Sequence, residues 1–252
     1  RIKIKNSHDL SLVYTPGVAA VSQYLSKNKA QLTDYTIKNN TVAVISDGSA
    51  VLGLGNIGPE GALPVMEGKC LLFKNFADID AFPIVLSTQD PDEIIKTVVA
   101  IAPGFGGINL EDISAPKCFY IEEALKKQLD IPVIHDDQWG TATVTLAALI
   151  NSLKVIGKKI DQVKIVILGV GAAGSAILKI LDAFGAKNIL LCDRQGIIYK
   201  GRKNNTPYKE KLASITNPTQ EKGDLSLAMK NADVFIGVSV PCLVTGAMVS
   251  LM

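Results

Sequence analysis

The chain has 252 residues, room for one large domain or two modest ones. Apolar residues make up 48% and charged residues 20%, the balance of a globular protein rather than a disordered one. Lys plus Arg is 26 against 24 for Asp plus Glu, too even to argue for nucleic acid or an anionic membrane surface as partner.

From Arg1 onward there is no apolar stretch of signal-peptide kind. Thr41–Ile45 reads as the first strand, and the apolar run Met66–Phe73 as part of a helix. Phe82–Leu86 is the next strand. Asp90 followed by Pro91 makes an N-cap and first helical residue, predicting a helix to about Ile101. Strands at Gly107–Leu110 and Ile131–Ile134 then flank a helix over 117–129. A helix over 141–156 follows, nearly uncharged from Thr141 to Leu153, which predicts burial and a join between two domains. Lys158, Lys159 and Asp161 mark a boundary. Beyond it come Lys164–Leu168, a helix Ser175–Phe184, Ile189–Cys192, a surface loop at Asn204–Pro207 and Val234–Gly237. Strands alternating with helices predict an α/β fold with a mostly parallel sheet. Val234 to Met252 carries no charge. Gly237, Ser239, Pro241, Gly246 and Ser250 interrupt that run, so it reads as a buried strand, a Pro turn and a helix start rather than a membrane anchor.

The strand Lys164–Leu168 runs into Gly169-Val170-Gly171-Ala172-Ala173-Gly174 and then a helix. The first Gly makes the tight turn, the second lets backbone approach a pyrophosphate, and the third lets helix and strand pack closely. A Gly-rich packing turn is the plainer alternative; the strand–turn–helix–strand context favours a dinucleotide. Asp193 lies 19 residues past Gly174, at the end of the next strand, where an acid bonds a ribose hydroxyl. That favours NAD over NADP, although Arg194 beside it would suit a 2′-phosphate.

Carboxylates form the second constellation. Glu111 and Asp112 follow one predicted strand, and Asp136 and Asp137 follow the next. A single helix between them is the layout of a right-handed crossover, so all four converge at the carboxyl edge of a parallel sheet. Four anions do not stay close unpaired. A divalent cation resolves this, and oxygen ligands mean Mg²⁺ or Mn²⁺; separate helix caps and solvated acids are the alternative. Lys69 lies in the apolar helical stretch. On the polar face it is an ordinary surface Lys; facing a metal crevice, its pKa falls and it becomes a general base. Tyr14, beside the turn residues Pro16-Gly17, is a buried aromatic or a proton donor. Gly53–Gly58 reads as a tight loop, His8 as a cap and Trp139 as a core anchor.

Other chemistries find no support. Cys70, Cys118, Cys192 and Cys242 form no CxxC, and with two His in the chain a Cys/His zinc site is excluded. The isolated thiols suit a reducing cytoplasm. Arg1, Arg194 and Arg202 are too few to clamp a substrate carboxylate in pairs. No GxSxG or Cys/His dyad points to nucleophilic catalysis.

Seven stretches, in order, resemble the malic enzyme family in its short bacterial form: SLVYTPGVA at 11–19, SDGSAVLGLGNIGP at 46–59, VMEGKCLLFK at 65–74, INLEDI at 108–113, IPVIHDDQWGTA at 131–142, GVGAAG at 169–174 and CDRQG at 192–196. The resemblance implies an N-terminal α/β substrate and metal domain (1–156) followed by an incomplete Rossmann NAD-binding domain (157–252), with a hinge near 155–162. It makes Tyr14 the proton donor, Lys69 the general base, and Glu111, Asp112 and Asp137 the metal ligands, with Asp136 beside them. The implied activity is oxidative decarboxylation of (S)-malate to pyruvate and CO₂ with reduction of NAD, dependent on Mg²⁺ or Mn²⁺. A cytoplasmic homodimer acting on a small molecule, with no nucleic-acid or membrane partner, is expected. Malolactic-type decarboxylation with retained NAD, or a truncated nucleotide-binding module without turnover, are the alternatives. Trp139 stands where short forms carry His, and Ala50 where larger forms carry Arg. The family's later strands fall beyond Met252, so the sequence reads as a fragment.

Overall fold

Residues 3–252 are described in a computed structural model. Three short helices come first: α1 (Ser7–Val13), α2 (Gly17–Lys27) and α3 (Leu32–Tyr35). None contributes a buried residue.

A first sheet follows. Its strands β1 (Thr41–Ser46), β2 (Asp80–Val85), β3 (Gly107–Leu110) and β4 (Val133–His135) pair in parallel in the order β2-β1-β3-β4. Helices α4 (Gly58–Ala77), α5 (Pro91–Ile101) and α6 (Lys117–Gln128) make the crossovers. β1 and β3 lie at the centre and are buried on both faces, which is why they read as continuous apolar runs. Ala43, Ile45, Ile108 and Leu110 pack there against Ile94 and Val98 of α5 and Ile121 and Leu125 of α6. Each Ile, Leu or Val among them contributes about 1.5–3 kcal/mol on leaving water. As expected, the Asp90 carboxylate caps α5, accepting from the N–H groups of Asp92 and Glu93 at 3.0 and 2.9 Å.

The long α7 (Asp136–Ile156) leads to a second sheet. There β5 (Lys164–Leu168), α8 (Ala172–Ala183), β6 (Asn188–Asp193), β7 (Gly196–Ile197), α9 (Pro207–Ala213), α10 (Leu225–Met229), β8 (Val234–Gly237) and α11 (Gly246–Val249) complete the chain. The strand order is β7-β6-β5-β8, parallel except for the short β7. Its core joins Ile165 and Ile167 of β5 and Ile177 and Leu181 of α8 to Ala142, Leu149 and Leu153 of α7.

Several expectations shift: β2 runs Asp80–Val85 rather than Phe82–Leu86, and α8 starts at Ala172 rather than Ser175. β4 starts at Val133, two residues late, because Pro132 has no N–H to give a ladder and only its carbonyl pairs, with the Ile108 N–H. α7 starts at Asp136 rather than 141, because the acids Asp136 and Asp137 suit a helix N-terminus. α7 is also buried on one face only: Val144 and Val155 are exposed. It is the one helix among the described residues long and apolar enough to cross a membrane by length and composition, yet its other face is packed on the second core. The uncharged terminal run forms β8, a turn at Pro241 and α11, the order read from its sequence, but β8 is only partly buried.

Candidate active site

β3 and β4 are parallel neighbours, with Leu110 in register with His135. Their carboxyl ends therefore deliver Glu111 and Asp112 beside Asp136 and Asp137, as the crossover predicted. Glu111 and Asp112 are almost fully buried. Asp112 holds φ 54°, a left-handed conformation that Asp tolerates, and its N–H donates to Asp137 Oδ2 at 3.0 Å. A Cβ at position 140 would overlap Asp136 Oδ1, so Gly140 gives that carboxylate room to lie back along α7.

Lys69 reaches this edge from α4. Its amine donates to Asp136 Oδ2 at 2.7 Å and stands 3.2 Å from Glu111 Oε1. The surface alternative is thereby excluded. Burial works against its charge, but the Asp136 hydrogen bond and the charges of Glu111 and Asp136 outweigh it and raise its pKa. A lowered pKa, the expectation for a lysine facing a metal, does not hold for this metal-free arrangement, because carboxylates are the nearest charges.

The acids bear the opposite strain. Burial, with the Asp136 and Asp137 charges adding to it, pushes Glu111 up to about 7, in spite of the Asn109 hydrogen bond and the Lys69 charge. Burial and Asp137 push Asp112 up to about 6. Asp112 Oδ2 is buried without a hydrogen-bond partner among the described residues. One amine does not compensate this cluster. As the side chains stand, no three acids, His or Cys among the described residues converge on one point as a ready ligand set; Asp137 is turned toward the Asp112 backbone.

Tyr14 is not brought to this edge by any hydrogen bond among the described residues. It caps the C-terminus of α1 and is 67% exposed, so the buried-aromatic alternative fails.

Two further acids matter that the sequence reading passed over. Asp47 is fully buried just past β1; it accepts from the Ser49 N–H and hydroxyl and pairs with Lys117 at 2.5 Å. The strand-end rule that found the other acids would have found it. Glu122, mid-helix in α6, has no such local signal. It is buried and accepts from the His135 N–H at 3.2 Å, Gln138 at 3.0 Å and Trp139 Nε1 at 2.8 Å. It thereby fixes the first turn of α7, which carries Asp136 and Asp137. Burial lowers the pKa of the enclosed His135 imidazole, against the charges of Asp137 and Glu122.

In the second sheet, Gly169 has φ 126°, and a Cβ there would meet the Val238 carbonyl oxygen at 2.6 Å. A Cβ on Gly174 would overlap the Gly169 carbonyl. Gly171 faces open space and is the N-cap of α8 without a side-chain cap, leaving first-turn N–H groups for an anion. Val170, Ala172 and Ala173 complete the turn. A cavity of ≈ 340 Å³ beside it is lined by Gly169, Val170, Asp193, Arg194 and Lys209.

Asp193 lies where expected, but its carboxylate is occupied. Oδ1 accepts from Arg202 Nη1 and the Gln195 N–H, each at 2.9 Å. Oδ2 accepts from Arg202 Nη2 and Lys209 Nζ, each at 2.6 Å. Burial alone would raise its pKa; the Arg202 and Lys209 hydrogen bonds reverse that and hold it at about 2. With four donors in place, ribose hydroxyls meet a carboxylate already used.

Comparison with known proteins identifies the family. Residues 1–91 and 87–126 match the family described as Malic enzyme, N-terminal domain, and 139–250 match Malic enzyme, NAD binding domain. The chain is 57% identical over 241 residues to the NAD-dependent malic enzyme of Geobacillus stearothermophilus, covering 96% of this chain and 50% of that protein. It is 53% identical to the bifunctional malic/malolactic enzyme of Bacillus subtilis, covering 100% of this chain and 62% of that one. Relatives named NADP-dependent malic enzyme also match. The crystal structure of the NAD-dependent malic enzyme of Thermotoga maritima superposes with TM-score 0.97 at 51% identity, covering 100% of this chain and 67% of that one. The chain thus spans about half to two thirds of the length of these relatives. With both family domains matched in order over nearly its whole length, the chain belongs to the malic enzyme family.

Proposed function

We propose that the whole protein oxidatively decarboxylates (S)-malate to pyruvate and CO₂ with a nicotinamide dinucleotide as hydride acceptor. The observation that carries this reading is the single lysine facing an under-compensated carboxylate cluster at the edge of the first sheet.

Mg²⁺ or Mn²⁺ fits that cluster, because Asp112 Oδ2 is a buried acceptor without a partner. Glu111, Asp112 and Asp137 are the residues that would hold it, once the Asp137 side chain turns from the Asp112 N–H. Such a cation, when bound, supplies Lewis-acid polarisation of the substrate oxygen. Lys69 takes the C2 hydroxyl proton. It does so as a neutral amine, which requires Glu111 and Asp136 to be engaged elsewhere than on its charge. Tyr14 gives a proton to C3. Its exposure means that α1 must be carried to a sheet edge by closure or by a second copy. Leu12, Val13 and Tyr24 are exposed on the same pair of helices, which supports a homodimer.

The turn at 169–174 holds the dinucleotide pyrophosphate at the α8 N-terminus. NAD is the proposed acceptor on the strand-end position of Asp193. A second reading, NADP, is favoured by one observation: Asp193 is neutralised by Arg202 and Lys209, and Arg194 adds a further cation to the same cavity. Division into 1–156 and 157–252 is kept, with the hinge at Gly157, whose φ of 68° ends α7. A cytoplasmic location is proposed on the four unpaired cysteines.

Malate-dependent reduction of NAD and of NADP, with and without Mn²⁺, tests the reading on this chain and on one extended to the relatives' length. The expected result is Mn²⁺-dependent NADH in solution from the longer chain. Conversion of malate to lactate without free NADH would replace it with the malolactic reaction.

A further inference from the structure

A groove of ≈ 730 Å³ runs along the junction where α6 meets α8 and α9. It lies outside the carboxylate edge and the dinucleotide turn, and no step of the proposed reaction uses it. That volume is within the range of small-molecule sites, which favour domain interfaces.

Its floor is aromatic. Phe119 of α6 and Tyr208 of α9 stack across the junction, ring centroids 4.1 Å apart and 11° from coplanar. Leu212 and Ile215 extend this apolar surface. Its rim is cationic. Lys117, Lys179 and Lys211 line it against one acid, Glu123. The Lys117 charge is spent on Asp47. Lys179 stands 5.8 and 5.6 Å from the Phe119 and Tyr208 ring centroids. Neither Lys179 nor Lys211 makes an ion pair among the described residues. An apolar groove along the edge of an aromatic pair, rimmed by ammonium groups that make no ion pair, complements an aromatic anion.

The walls also lead to both halves of the proposed active site. Lys117 pairs with Asp47 in the loop after β1, and the Ser114 N–H donates to Ser49 in the same loop at 2.9 Å. On the other wall, Lys209 follows Tyr208 and holds Asp193. A ligand that spreads or tightens the Phe119–Tyr208 stack therefore acts on the residues that set both loops.

We propose that this groove is an effector site for a small aromatic anion, a flat ring bearing a carboxylate, phosphate or sulfonate. Its occupancy changes the affinity of the second unit for NAD; this coupling rests on the dinucleotide reading of that unit, whereas the binding itself does not.

Fluorescence titration with 8-anilinonaphthalene-1-sulfonate tests it, on this chain and on one of the relatives' length. The expected result is one saturable site, weakened about tenfold or more in the double variant Lys179→Glu/Lys211→Glu. Lys127→Glu, on the exposed side of α6, leaves it within about twofold, well short of one tenfold step in affinity. At saturating NAD the full fluorescence amplitude remains, because the two ligands occupy different sites. By reciprocity, saturating probe shifts the Kd of NAD by about fivefold or more. Equal binding in the double variant, loss of amplitude as NAD saturates, or no binding to the longer chain would each overturn the site. An unchanged Kd for NAD would overturn the effector role. If NAD does not bind at all, the functional reading falls with the coupling, while the probe titration still decides the groove.

Discussion

Lys69 is one amine set between two carboxylates, and it is the residue proposed as the general base. Lys69→Ala is expected to cost roughly 10²–10⁴ in kcat for malate oxidation, the usual worth of general base catalysis. Decarboxylation of added oxaloacetate should suffer less, since that half-reaction starts after the proton has gone. Malate oxidation within about threefold of the parent, far short of that range, would show that Lys69 is not the base. The acids beside it make a second, independent expectation. Glu111 and Asp112 titrate at about 7 and about 6 when folded, above their ordinary values. The folded state therefore binds more protons than the unfolded one between about pH 4 and 7, and metal-free stability falls as pH rises through that window. Mn²⁺ competes with those protons, so its affinity should rise with pH to about 7 and then level. Calorimetry in buffers of different ionisation enthalpy should find protons released on binding near pH 6.5, about midway between those two values. Asp137→Ala should weaken Mn²⁺ tenfold or more; pH-independent affinity would remove the cluster from the metal site.

At the scale of the element, α7, which carries site acids, and α5, which packs the first core, are each held by short polar contacts at their N-termini. α7 begins where Glu122 gathers the His135 N–H, Gln138 and Trp139, and α5 begins where Asp90 accepts two backbone N–H groups. Asp90→Ala removes an exposed cap and should lower stability by about 0.5–2 kcal/mol, read as a lower Tm, without changing Mn²⁺ affinity. The contrast is with α8, whose start at Gly171 has no side-chain cap. Leaving that helix end open costs stability and provides the place where a pyrophosphate can bind.

Across the whole molecule, the two sheets are linked by a single helix that begins among the carboxylates and ends in the second core. The edge that holds the acids and the turn proposed for the dinucleotide thus lie on different sheets, and the proposed hydride transfer requires them to close. The N-terminal helices are the least integrated part, with exposed Leu12, Val13, Tyr14 and Tyr24 and no buried residue in α1 or α2. A surface of that kind is covered in a stable assembly. Sedimentation equilibrium should find a dimer, and Leu12→Asp should shift it toward monomer and lower malate oxidation while NAD binding persists. A monomeric parent would mean that Tyr14 reaches a site within its own chain.

The sequence by itself determined the alternation of strand and helix, the Gly169–Gly174 turn with its strands, the Asp90 cap and the pairing of acids at two strand ends. These are local: they follow from periodicity, from backbone conformations only Gly tolerates, and from the rule that parallel neighbours end on one edge. Lys69 and Tyr14 were open from their own surroundings, since an apolar flank suits a surface lysine as well as a site lysine. Only tertiary structure put Lys69 against Asp136 and left Tyr14 in solvent, because the first depends on how α4 crosses the sheet and the second on what covers α1. It alone showed Asp193 spent on Arg202 and Lys209, residues 9 and 16 positions later whose approach is set by the loop and helix after β7. It alone placed Glu122 beneath His135, Gln138 and Trp139, since a mid-helix carboxylate's partners are chosen by packing between elements and leave no pattern along the chain.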